Sequence, residues 1–163
     1  MKIVPQELEE ALRVAVRQQH SHVVKILLQK TVDIDRILSL DAENSTLLHI
    51  AVLNGDEKTV KLLLEAHSSV TAEDGANCTA LHLAARSGSV AVVNLLLDAK
   101  SDITRSNGEQ KTALHIASEY GHGEIVSLLL AALCPGSLEA NSTSSCSPRG
   151  DENGRRWSFL AQQ

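Results

Sequence analysis

Three histidines are the residues of this sequence whose type and spacing most readily suggest chemistry. They recur every 33 residues, as His49, His82 and His115. Imidazole binds transition metals and moves protons near neutral pH, so a periodic set of three invites a metal-binding or a catalytic interpretation. The elements that carry the histidines decide between these interpretations and a structural one.

Each histidine lies inside a longer pattern that repeats with the same period. The pattern reads Thr-x-Leu-His-x-Ala, reaches a glycine, and is followed by an apolar run of the form Val-x-Leu-Leu-Leu. Its threonines and glycines are Thr46, Gly55, Thr79, Gly88, Thr112 and Gly121. A fixed period of this length indicates a repeat architecture. On these residues the sequence resembles the ankyrin repeat family, in which each repeat contributes two short helices and a β-hairpin-like tip.

The resemblance implies an all-α fold, an ankyrin-repeat solenoid of stacked helix-turn-helix units. Residues 1–134 are expected to form the repeat domain, which begins with a degenerate repeat at about 5–40. The regular repeats are 41–73, 74–106 and 107–134. The degenerate repeat has Gln19 where the others have glycine, and its polar outer stripe suits the terminal cap of a stack. Residues 135–163 are rich in serine and are expected to be a disordered tail.

The regular repeats depart from the family pattern just before the threonine. The family usually has glycine two residues ahead of it, whereas this sequence has Asn44, Asn77 and Gln110. Asparagine tolerates a positive φ angle, and glutamine does so much less readily. We therefore expect these positions to lower stability without changing the fold.

The stacked architecture argues against a metal ion shared by the three histidines. Equivalent residues of adjacent repeats lie about one helix-packing distance apart, ~8–10 Å. Two ligands of one zinc ion must instead lie within roughly 4 Å of each other. In the family this histidine hydrogen-bonds the hairpin and the helix cap, so the resemblance implies a structural role for the threonine, histidine and glycine of the pattern. We expect no metal and no cofactor.

The remaining reactive residues do not form a catalytic set. Cys78 has no basic neighbour and no partner histidine at a spacing typical of an activated nucleophile. An enzyme would need a nucleophile–base pair that the sequence does not display, so we expect no catalytic residues and no enzymatic activity. Near the C-terminus, two arginines, a spacer, Ser158 and an apolar residue resemble the substrate pattern of basophilic kinases, which makes Ser158 a candidate phosphorylation site.

Composition and charge exclude several classes of partner. The chain has 163 residues and a formal net charge of −5, which provides no basic field for nucleic acid. No apolar run approaches the roughly 20 residues that cross a bilayer, and the acidic start does not suit a signal peptide. We therefore expect a protein of the cytoplasm or the nucleus that neither binds nucleic acid nor inserts into a membrane.

The resemblance implies recognition of one or more proteins through the concave surface of the stack, as an adaptor or a targeting domain. In the family this surface consists of the hairpin tips and the exposed side of the first helix of each repeat. The corresponding positions here are Leu53, Asn54, Arg86, Ser87, Glu119 and Tyr120 on first helices, and Glu43, Glu109 and Lys111 on tips. Aromatic and arginine side chains concentrate binding energy, which favours Tyr120 and Arg86 as anchors. The alternative is a partner on the convex side or at the uncapped end.

The last apolar run, which contains Leu130, has no evident cap in the sequence. Either Trp157, Phe159 and Leu160 of the tail fold back over it, or the chain is a shortened regulatory form of a longer repeat protein. We favour the second alternative. It predicts a monomer, or weak self-association through this face.

Overall fold

A computed structural model describes residues 5–30 and 45–133, and these residues form eight α-helices. In chain order the helices are α1 (Pro5–Arg17), α2 (Ser21–Lys30), α3 (Leu47–Leu53), α4 (Glu57–Glu65), α5 (Ala80–Ser87), α6 (Val90–Asp98), α7 (Ala113–Glu119) and α8 (Gly123–Leu133). Within the described ranges, β-structure is limited to isolated antiparallel bridges, Glu73 with Thr79 and Ser106 with Thr112. The expected all-α fold with hairpin-like tips is confirmed.

The helices are arranged in two layers. Each odd-numbered helix packs on the even-numbered helix that follows it. The odd-numbered helices also pack on one another in chain order, and so do the even-numbered helices. Each pair therefore buries its apolar surface mainly against the pairs before and after it, as expected for a repeat solenoid.

Small side chains let the odd-numbered helices approach each other. Ala51, Ala84 and Ala117 recur at the repeat period, and all three are fully buried. The even-numbered helices contribute the larger apolar side chains to the core, among them Leu63 and Leu96 at equivalent positions. The core formed by the described residues consists of leucine, valine, isoleucine and alanine, as the low aromatic content requires.

The odd-numbered helices of the regular repeats end close to a glycine with a left-handed backbone. Gly55, Gly88 and Gly121 have φ angles of 67°, 77° and 74°, a conformation that costs a residue without a Cβ little energy. In the first repeat Gln19 takes this position and has a φ angle of 59°. The degenerate repeat therefore keeps the turn geometry although it has lost the glycine.

The hairpins before α5 and α7 are closed by one side chain each. The carboxylate of Asp74 accepts hydrogen bonds from the backbone N–H groups of Ala76 and Cys78, at 2.9 and 2.8 Å. In the next hairpin the side-chain oxygen of Asn107 accepts the corresponding bonds from the backbones of Glu109 and Lys111, at 3.0 and 2.9 Å. These contacts fix the turns that the Asp-Gly and Asn-Gly pairs predict.

The outer face of the first repeat is less polar than expected. Glu9 and Arg13 form the ion pair that their spacing predicts, at 3.2 Å. On a neighbouring side of the same helix, however, Val14 is 54% exposed, and Ile26 of α2 is 56% exposed. The charged stripe covers one side of α1 only, because its residues recur every four positions, and Val14 lies on the adjacent side.

Other expectations fall outside the described residues: those for Asn44, for Glu43, and for the tail with Ser158. Among the helices that the structure describes, none combines the length and hydropathy that crossing a membrane requires.

Gln110 provides a test of backbone strain. Asn77 and Gln110 occupy equivalent hairpin positions with φ angles of 55° and 60°. Left-handed backbone costs an ordinary residue roughly 1–2 kcal/mol and costs asparagine less. We expect Gln110→Gly to raise the free energy of unfolding by about 1 kcal/mol, and Asn77→Gly to raise it by less, as measured by urea unfolding. A Gln110→Gly protein no more stable than the parent would contradict the assignment of strain.

Candidate protein-binding surface

The periodic threonines and histidines form the N-terminal caps of α3, α5 and α7. The backbone N–H of Thr79 donates to Nδ1 of His82 at 3.1 Å, in a reciprocal capping box. The same box joins Thr46 to His49 at 3.1 Å and Thr112 to His115 at 3.3 Å. A side chain at the third helical position thereby satisfies a backbone group that the helix itself leaves unpaired.

His82 also connects its helix to the following hairpin. Its Nε2 atom lies 3.0 Å from the backbone carbonyl oxygen of Arg105, to which it donates a hydrogen bond. The ring is only 1% exposed. Burial lowers the pKa of His82 below its ordinary value, since the charged form loses hydration. Both ring nitrogens are thus engaged by the protein, and the neutral ring positions the hairpin against the helices.

Adjacent hairpin tips are tied to each other directly. The backbone N–H of Gly108 donates to the carbonyl oxygen of Ala76 at 3.0 Å. On the same pair of hairpins, Nη2 of Arg105 lies 2.6 Å from a carboxylate oxygen of Glu73. The side-chain amide of Asn107 donates to the sulfur of Cys78 at 3.6 Å. The tips therefore form a continuous edge beside the odd-numbered helices.

A groove of about 330 Å³ lies between this edge and helices α5 and α7, and we call it the concave groove. Five of the predicted partner-binding residues line it: Arg86, Glu109, Lys111, Glu119 and Tyr120. Its lining also includes less polar groups: Cys78, which is a hairpin-tip position, and Leu83 and Ile116, which sequence reasoning did not assign to binding. The groove combines an apolar floor with charged and aromatic walls, as ligand-binding clefts in proteins commonly do.

The charges in the concave groove are unevenly distributed. Nζ of Lys111 lies 2.8 Å from a carboxylate oxygen of Glu119 and 3.1 Å from one of Glu109. Hydrogen bonds to Glu119 and then Glu109 raise the pKa of Lys111, so this trio carries a net charge of −1. Within residues 5–30 and 45–133 no carboxylate forms an ion pair with the exposed guanidinium of Arg86. One part of the groove is therefore anionic and another cationic.

Tyr120 presents an aromatic ring at the mouth of the groove. It is 52% exposed, and its ring stacks against that of His122, with centroids 6.4 Å apart and planes inclined by 14°. Nε2 of His122 in turn lies within hydrogen-bonding distance, 3.2 Å, of the backbone carbonyl oxygen of Arg86. His122 thus supports both predicted anchors.

Sequence reasoning missed His122, which carries no motif of its own. Its contacts with the preceding repeat are not evident from the sequence alone. An ideal Cβ on Gly88 would lie 2.6 Å from Cε1 of the His122 ring. The glycine thus also leaves room for a side chain of the next repeat.

The other predicted binding residues have different environments. Leu53 is exposed but does not line the concave groove. The side-chain amide of Asn54 donates to the carbonyl oxygens of Val16 and Arg17, at 3.1 and 3.4 Å, and so joins the first two repeats. The hydroxyl of Ser87 donates to the carbonyl oxygen of Ala84 in its own helix, at 3.1 Å.

Comparison with known families supports a repeat architecture. A family model described as ankyrin repeats in three copies matches residues 4–74 and, again, residues 72–141. The two matched segments together cover most of the chain. No curated protein matches the sequence significantly.

Among the described residues, no three His, Cys, Asp or Glu side chains come close enough together to hold a metal ion.

The buried ring of His82 makes stability depend on pH. Its pKa is lowered in the folded protein and returns to about 6.5 on unfolding. Its contribution to stability is therefore complete above about pH 6.5, and it is lost as the pH falls from there toward the folded pKa. We expect urea unfolding to give a lower free energy at about pH 5 than at about pH 7.

His82→Gln should reduce this difference, because glutamine does not titrate. His115→Gln is the matched control, since His115 has the same capping geometry but is exposed. Equal pH dependence in the parent and His82→Gln proteins would refute this role of His82.

Proposed function

Because the chain belongs to the ankyrin repeat family, whose repeats are generally protein–protein interaction modules, we propose that it is a non-catalytic adaptor or targeting domain. In this proposal the partner is a protein, and it binds the concave groove. The observation that carries the proposal is the convergence of five predicted binding side chains, from two odd-numbered helices and one hairpin, on a single groove.

The composition of the groove defines the partner's chemistry. The guanidinium of Arg86 favours a carboxylate or a backbone carbonyl. The net negative trio around Lys111 favours a basic side chain. Leu83 and Ile116 favour an apolar side chain. A short segment that carries an acidic, an apolar and a basic side chain therefore suits the groove.

Tyr120 and Arg86 are the anchors in this proposal. Both are exposed, and His122 holds the tyrosine ring and the Arg86 backbone in place before a partner arrives. A preorganised anchor loses little conformational entropy on binding. Lys111 is a weaker candidate, because its charge is already balanced by two carboxylates.

The environments of Cys78 and His82, which both line the groove, support a non-catalytic role. Such a role is also typical of the family. Cys78 is half-buried, and burial raises the pKa of its thiol, which opposes formation of the nucleophilic thiolate. The nitrogens of His82 are occupied by Thr79 and Arg105. Neither residue is free to act on a bound substrate.

A second candidate function is weak self-association through the C-terminal face of the stack. Leu130 and Leu133 of α8 are 49% and 40% exposed. His115 is exposed, whereas His82 at the equivalent position is covered by the next repeat. Sedimentation velocity over a range of concentrations tests this candidate: association that Leu130→Glu abolishes would support it, and a concentration-independent monomer would exclude it.

The double substitution Arg86→Ala/Tyr120→Ala tests the concave groove. Because anchor residues each contribute ~2 kcal/mol or more, we expect partner recovery to fall at least about tenfold. The melting temperature should change little, since both side chains are exposed. The measurement is affinity capture from cell extract followed by quantitative mass spectrometry.

Lys58→Ala/Glu65→Ala is the matched control, because it removes two exposed side chains from α4. Proteins recovered by the parent and the control, but lost with the double variant, are partners of the groove. If the double variant retains every specifically captured protein, the concave groove is not the binding surface.

A further inference from the structure

A second groove lies at the other end of the molecule, on the outer side of the first repeat. It has a volume of about 630 Å³ and is formed by α1, the turn after it and α2. We call it the terminal groove. Side chains that line it include Glu7, Glu10, Ala11, Val14, His20 and Val23.

The terminal groove follows a helical stripe. Its α1 residues, at positions 7, 10, 11 and 14, have the spacing of one helix face. Leu12 and Val16 of the same helix point into the core and are fully buried. Helix α1 therefore buries one side in the core, and on another side it exposes Ala11 and Val14 beside Glu7 and Glu10.

The shape of the terminal groove suits a helix. Ala11 and Ala15 contribute only a methyl group each to its lining, whereas Val14 and Val23 have larger side chains. A small residue flanked by larger ones accepts an apolar side chain projecting from a neighbouring helix. Within this protein the buried alanines of α3, α5 and α7 likewise let helices of adjacent repeats pack closely.

The charges along the terminal groove are negative. Glu7 and Glu10 are exposed, and both line the groove. The neighbouring Glu9 is paired with Arg13, at 3.2 Å, and does not line it. A ligand with lysine or arginine beside its apolar stripe therefore complements the two carboxylates.

A second copy stacked through its last two described helices does not supply that chemistry. The surface that continues the repeat order is the exposed face of α8 with Leu130 and Leu133. Neither α7 nor α8 contains a lysine or an arginine, so these two helices would place no cation opposite Glu7 and Glu10.

We propose that the terminal groove binds an amphipathic helix of another protein, with apolar side chains at i, i+3 or i+4, and i+7 and with basic side chains beside Glu7 and Glu10. This surface is separate from the concave groove, so the protein can hold two partners at once. The inference does not depend on the proposed function of the concave groove.

The experiment selects ligands from a phage-displayed library of helical peptides, with the full-length protein as bait and an Ala11→Arg protein as the counter-selection target. Ala11 is exposed and arginine favours helices, so this variant keeps its fold while blocking the groove. We expect the enriched peptides to share the apolar spacing and to carry lysine or arginine. A synthetic peptide of the enriched sequence is then titrated by calorimetry.

Charge reversal provides the quantitative test. We expect Glu7→Lys/Glu10→Lys to reduce the affinity for the peptide at least about fivefold, because two exposed ion pairs are lost. Glu65→Lys/Asp98→Lys changes the net charge equally at exposed positions on α4 and α6, and it should leave the affinity unchanged.

Three results would overturn the proposal. The first is a selection without enrichment over the unselected library. The second is an enriched peptide that lacks basic residues, or that binds the Ala11→Arg and Glu7→Lys/Glu10→Lys proteins as tightly as the parent. The third is a dimer of the parent, seen by sedimentation, that Ala11→Arg dissociates, since a second copy would then be the occupant.

Discussion

The structure depends on one constraint, which is that no helix pair can bury its apolar surface alone. The alanines of α3, α5 and α7 allow close approach, and Leu63, Leu96 and Leu129 of the even-numbered helices then lose their contact with water. Full burial of one leucine contributes roughly 1.5–3 kcal/mol, whereas an exposed ion pair contributes about 0–1 kcal/mol. Apolar stacking therefore holds the repeats together. The ion pair between Glu73 and Arg105 aligns hairpins that the stack has already brought side by side.

Polar contacts between repeats then position the side chains of the concave groove. Nε2 of His82 donates a hydrogen bond to the backbone carbonyl of Arg105 in the next hairpin. Nε2 of His122 bonds the backbone carbonyl of Arg86 in the preceding repeat. Asn54 makes an analogous connection to the end of α1. Each bond satisfies a backbone carbonyl, which would otherwise lose hydrogen-bonding partners as the stack excludes water. The bonds of His82 and His122 also join residues that line the concave groove to the neighbouring repeat.

The two ends of the stack meet the same constraint in different ways. At the C-terminal end Ser118 is exposed at the position where Ala85 is buried, and its hydroxyl donates to the carbonyl of Leu114. The serine reduces the apolar area of this face relative to an alanine, although Leu130 remains exposed. At the first-repeat end the exposed apolar groups form a groove with acidic side chains. Exposed apolar side chains that lie together, rather than singly, are a feature of interaction surfaces.

By itself, the sequence determined the pairing of helices and the turns, because these depend on residues close together in the chain. The threonine, histidine and glycine spacing placed the caps, and the positive φ angle expected at Gln110 is present at 60°. Positional equivalence identified five residues of the concave groove. The sequence did not reveal that Lys111 lies between two carboxylates, that Asn54 bonds a residue 38 positions away, or that His122 supports Tyr120. The tertiary structure decided these contacts, since they form only when stacking brings distant segments together.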